Sequence, residues 1–124
     1  MRAALWTALL GAALAGCAPA PTQARGKPLQ HWLTELRSPD PRARKTAVEV
    51  LGNVGPRDPA ALPALAGAVR DPDPSVRDAA ILALLKSGPA AAEAAAALRE
   101  ALHDPDETVR AHAAAALRAV ERRE

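Results

Sequence analysis

One thiol and three imidazoles are the chemically sharpest groups in this 124-residue chain. Cys17 is the sole cysteine, so no intramolecular disulfide can form. His31, His103 and His112 stand in no HExxH or comparable ligand spacing, so no metal site is expected. His31, one residue before Trp32, reads as a surface residue, and so does His112. No glycine loop that could cradle a phosphate is present, and no serine elbow. The carboxylates are scattered among Arg and Lys, where helix starts and solvated faces account for them. The sequence therefore predicts no catalytic residue, no metal and no cofactor, and the chain is read as not an enzyme.

The position of Cys17 suggests another use for its thiol. Met1 and Arg2 make a short basic start, and an apolar run from Ala3 to Leu14 follows. That run is too short to cross ~30 Å of hydrocarbon, which takes about 20 apolar residues. Leu14, Ala15, Gly16 and Cys17 then resemble the lipobox of bacterial lipoproteins. The resemblance implies a signal peptide over 1–16, cleavage ahead of Cys17 and a diacylglyceryl group on its sulfur. Two or more acyl chains hold a protein firmly, at about 0.8 kcal/mol per buried methylene. The implied location is the bacterial cell envelope, lipid-anchored and facing the periplasm, with either membrane open. Residues 17–27, with Pro19, Pro21 and Gly26 and no apolar period, read as a flexible tether.

These elements leave a small folded part with an aliphatic core, because the chain has no Tyr or Phe and its aromatics are Trp6 and Trp32. No stretch alternates apolar and polar positions for long, so an all-α protein is expected. The net charge is +2, and losing Arg2 with the leader leaves 15 basic against 14 acidic side chains. Nucleic acid is an unsuitable partner, because a phosphate binder concentrates its cations in a stripe, whereas here both signs alternate throughout.

Three segments align without a gap: SPDPRARKTAVEVLGNVG from Ser38, DPDPSVRDAAILALLKSG from Asp71 and DPDETVRAHAAAALRAVE from Asp104. The period is 33 residues both times. Asp40, Asp73 and Asp106 stand where a helix needs an N-cap, worth ~1 kcal/mol each. Pro41 and Pro74 follow at the first helical position, where the missing N–H costs nothing, and Glu107 suits the positive end of the third helix. Ala47, Val50, Leu51 and Val54, with their counterparts, recur at helical spacing. Gly55 and Gly88 read as left-handed caps, each followed by a proline. A shorter helix precedes each capped one, with apolar faces at Leu29, Trp32, Leu33 and Leu36, at Leu62, Leu65 and Val69, and at Leu98 and Leu102. The folded domain is thus 28–124, in repeats of about 28–55, 56–88 and 89–124. Its third copy is thin, being nearly all alanine from Ala90 to Ala97.

The strings DPDPSVR and DPDETVR, each ahead of an alanine-rich helix, resemble short HEAT repeats, and more closely the type found in phycobilisome lyases. The resemblance implies a right-handed α-solenoid of three hairpins. It also implies bridging between repeats by Asp40, Asp73, Asp106, Arg44, Arg77 and Arg110, with Ser38 and Ala43 as departures in the first copy. Around the second helix, Asp78, Leu82 and Leu85 fall opposite the buried face, matched by Lys45, Glu49 and Gly52 in the first copy and by Ala111, Ala115 and Arg118 in the third. Leu82 and Leu85 are then either the apolar centre of a partner-binding patch rimmed by Lys45, Glu49, Asp78, Lys86 and Arg118, or are covered by neighbouring helices. The expected function is a membrane-anchored scaffold or adaptor for an unidentified protein or peptide, without catalysis. The alternatives are a structural lipoprotein that self-associates through its array ends and, more remotely, an enzyme or subunit related to the bilin lyases.

Overall fold

Each DP step in the sequence becomes the start of a long helix. In the computed structural model, which describes residues 22–122, three helices of equal length follow the three caps: α2 (Pro41–Val54), α4 (Pro74–Ser87) and α6 (Glu107–Val120). The Asp40 carboxylate accepts from the Arg42 amide, Asp73 from Ser75 and Asp106 from Val109, at 2.8 to 3.1 Å. Short helices precede them at the same 33-residue period: α1 (Leu29–Glu35), α3 (Leu62–Ala68) and α5 (Ala95–Ala101). The 1–16 leader, Cys17 and residues 18–21 of the expected tether lie outside the described residues, as do 123 and 124.

The long helices pack side by side, α2 on α4 and α4 on α6, while the short helices close one flank of each. This is the all-α, solenoid-like arrangement expected from the repeat. Small side chains let the long helices approach closely: Ala47, Ala80 and Ala113 are fully buried at equivalent positions. Leu51 and Leu84 are likewise fully buried, whereas their counterpart Leu117 on the last helix is only half-buried. Removing a leucine-sized side chain from water contributes about 2 kcal/mol, so much of the stability lies at the inner junctions.

Two local expectations are corrected, and one detail is added between them. First, neither glycine is a left-handed cap: Gly55 is right-handed (φ −47°, ψ −44°), and Gly88 has a positive φ of +56° but a ψ of −136°, outside the left-handed helical region. Gly55 is small for a different reason, because a Cβ there would lie 3.1 Å from Leu62 Cδ2 and 3.2 Å from Ser87 Oγ. Second, the alanine-rich start of the third copy is a 3-10 stretch over Gly88–Ala94 that becomes α-helical only at Ala95. Alanine supplies few side-chain contacts to fix one helical pitch, and Ala91 leaves helical geometry altogether (φ −94°, ψ 20°).

Third, the described part of the segment read as a tether is folded. Gln23–Ala24 (β1) and Lys27–Pro28 (β2) form a small antiparallel hairpin with Arg25 (φ +51°) and Gly26 (φ +71°) at its turn. Positive φ at both central residues is what the tightest hairpin turns require. Side chains of the first and second repeats hold the hairpin down. The buried Trp32 donates its indole N–H to the Ala24 carbonyl at 2.9 Å, and Thr22 donates its hydroxyl to Asp58 at 2.8 Å. Trp32 is therefore a core residue with its polar edge satisfied.

Candidate functional site

The bridges between repeats come first, because they fix the spacing of the helices that form the site. Arg44 sends Nε and Nη2 to the two carboxylate oxygens of Asp71, at 2.8 and 3.1 Å, and Nη1 to the Ser38 carbonyl. One repeat on, Arg77 grips Asp104 in the same forked way at 2.7 and 3.0 Å. These pairs are well covered: Arg77 and Asp104 keep 14% and 8% of their side-chain exposure. The Asp71 hydrogen bond raises the Arg44 pKa. At Asp104 burial opposes the charge, but the hydrogen bonds from Arg77 and the Asp106 amide outweigh it and hold the carboxyl below its ordinary value.

Within the DPD motifs, the carboxylates that cross between repeats are therefore Asp71 and Asp104, the first Asp of each. Asp40, Asp73 and Asp106 cap their own helices instead, which corrects the expected bridging set. The reason is geometric: a cap carboxylate turns inward to its own helix amides, leaving the Asp two residues earlier to face the preceding repeat. Arg110 donates to the carbonyls of Asp104 and Pro105 and meets no carboxylate among the described residues.

A groove of about 570 Å³ runs along the junction of α2 and α4. Residues at helical spacing make its walls: Lys45, Glu49 and Asn53 from α2, and Asp78, Leu82, Leu85 and Lys86 from α4. Its floor is Gly52 against Ala83, so close that a Cβ on Gly52 would lie 2.7 Å from the Ala83 Cβ. The two leucines lie between the alternatives left by the sequence. Both are half-buried; Leu85 packs against the core with one side and lines the groove with another.

Six of the seven residues proposed as a contact patch thus line one groove. Arg118 does not: it is exposed on α6, outside the groove walls. The structure adds Arg25, brought to the groove from the hairpin turn, which no local pattern in the sequence indicated. His112, read as a plain surface residue, places Nδ1 2.5 Å from Asp78 Oδ1 and so links the third repeat to a wall of the groove. A one-per-repeat comparison could have found that pair, since Asp78 and His112 lie 34 residues apart, one more than the period.

A charged rim, an apolar centre and open access suit the holding of a polypeptide segment. The sequence model of the HEAT repeats family matches residues 29–118, nearly the whole run from α1 to the last turn of α6. Comparison with curated proteins finds no match.

Proposed function

Because the chain belongs to the HEAT repeats family, whose members commonly serve as protein-interaction scaffolds, we propose that it is a lipid-anchored adaptor that holds a protein or peptide in the α2–α4 groove and performs no chemistry of its own. The observation that carries this reading is the half-buried leucine pair. Leu82 and Leu85 keep apolar surface in an open groove with a polar rim, where a monomer gains nothing from leaving them uncovered. The anchor rests on the Leu14–Cys17 pattern and places the work at the envelope membrane, on its periplasmic side.

Substituting both leucines by serine in the full chain tests the site. The expected result is loss of the proteins co-purified with the wild-type chain, with a melting temperature that falls much less than for Leu84→Ser. A melt as damaged as that core control, or an unchanged set of co-purified proteins, would refute the groove as the binding surface. Cys17→Ser tests the anchor independently: the chain should leave the membrane fraction, and its retention there would overturn lipidation at this thiol.

A further inference from the structure

The charges on the groove are unequal once those already engaged are set aside. Arg25, Lys45 and Lys86 line it, all exposed, and none has a carboxylate within ion-pair distance among the described residues. Of the two carboxylates on the walls, Asp78 already receives the His112 ring N–H, which leaves Glu49. The lining therefore carries three cations against two carboxylates, one of which, Asp78, is already hydrogen-bonded to His112, around the Leu82 and Leu85 centre. That excess is local, because the chain as a whole is near neutral.

Arg25 is the informative member. A non-glycine residue at φ +51° is held against its own backbone preference, and here two anchors maintain it, Trp32 to the Ala24 carbonyl and Thr22 to Asp58. The hairpin thus fixes the backbone from which Arg25 reaches the groove, where a forked donor can take a carboxylate with two hydrogen bonds.

We propose that the groove takes an acidic amphipathic segment of another protein, with aliphatic side chains against Leu82 and Leu85 and carboxylates directed to Arg25, Lys45 and Lys86. This rests on the scaffold reading above and adds the chemistry of its partner. The charges set specificity and encounter rate, and the leucines contribute the apolar contact.

The test uses the full-length chain and three fluorescein-labelled peptides that share leucines at helical spacing and differ only at the intervening positions, which are glutamate, glutamine or lysine. Anisotropy should rank them glutamate, glutamine, lysine, with about tenfold between the first two. The gap should close as salt rises from about 50 to about 500 mM. Arg25→Gly, which keeps a residue suited to positive φ, should remove most of that preference while leaving the thermal melt unchanged. Equal binding of all three peptides, abolished by the double leucine substitution, would overturn the acidic preference and leave the scaffold groove standing. Absence of binding by any peptide, or binding indifferent to the leucines, would overturn the proposal outright. Displacement of the acidic peptide by phosphatidylglycerol vesicles would overturn it in favour of a lipid surface.

Discussion

Gly52→Ala pits helix propensity against packing, and the two have opposite signs. Alanine is the better helix former by about 1 kcal/mol, so an exposed mid-helix glycine would be stabilised by the change. Gly52 is buried, however, and the new methyl would lie 2.7 Å from the Ala83 Cβ, where ordinary contact begins near 3.4 Å. A methyl on a helix backbone cannot rotate aside, so α2 and α4 must part by most of that difference. Leu51 and Leu84 lie fully buried on the same two helices and would lose contact as they separate. Overpacking of this kind costs about 1–3 kcal/mol. The net expectation is a loss on the order of 1 kcal/mol, or a melting temperature lower by about 4–8 °C in a domain of this size. Thermal and urea unfolding followed by circular dichroism would measure it. The double variant Gly52→Ala, Ala83→Gly moves the methyl across the junction and should be more stable than the sum of the single changes by about 1 kcal/mol or more. A Gly52→Ala protein that melts higher than the parent, or two losses that simply add, would refute close packing as the reason for the glycine.

Bridge and cap carboxylates should separate under the same isosteric change. Asp104→Asn leaves the covered Arg77 without its anion and should cost about 2 kcal/mol in urea unfolding, whereas Asp106→Asn, a cap as good as the original, should cost almost nothing. Because the folded Asp104 carboxyl sits below its ordinary value of 3.8, the unfolded chain binds the proton more readily. The stability it contributes is thus complete above about pH 5 and lost as pH falls through the folded value, so Asp104→Asn should show a shallower acid limb below about pH 4. Trp32→Phe keeps one aromatic ring but removes the donor to Ala24 and leaves space in the core; it should cost about 2 kcal/mol and sharply lower hydrogen-exchange protection at the Leu29 amide, which donates to the Thr22 carbonyl.

What could be read from the sequence was what the chain encodes locally and repeats. The Asp caps and the prolines at Pro41 and Pro74 each act within one helical turn, and the 33-residue period repeats the caps three times. What escaped was non-local. DPD offers two carboxylates two residues apart, and only the stacked neighbour decides that Asp71 and Asp104 reach across. The hairpin has two-residue strands, too short for any alternation, and its acceptor Ala24 is chosen by Trp32 eight residues later. Gly55 and Gly88 look alike in the alignment, yet one is small to make room for Leu62 and Ser87 and the other to turn the chain. The groove was half legible: periodicity placed Leu82, Leu85 and their rim on one face, but Arg25 needed the hairpin and Arg118 needed the observed walls to be excluded.

The Arg-to-Asp bridge has a direction, since each repeat gives a guanidinium to the carboxylate of the one that follows. The donor side runs Arg44, Arg77, Arg110; the acceptor side runs Ser38, Asp71, Asp104. A second molecule laid end-on against α6 would bring Ser38 beneath Arg110, a hydroxyl where both internal junctions have an anion. The joint that holds the array together is therefore a one-way coupling, in which each repeat extends a cation to the anion of the next and the first repeat has a serine in place of that anion.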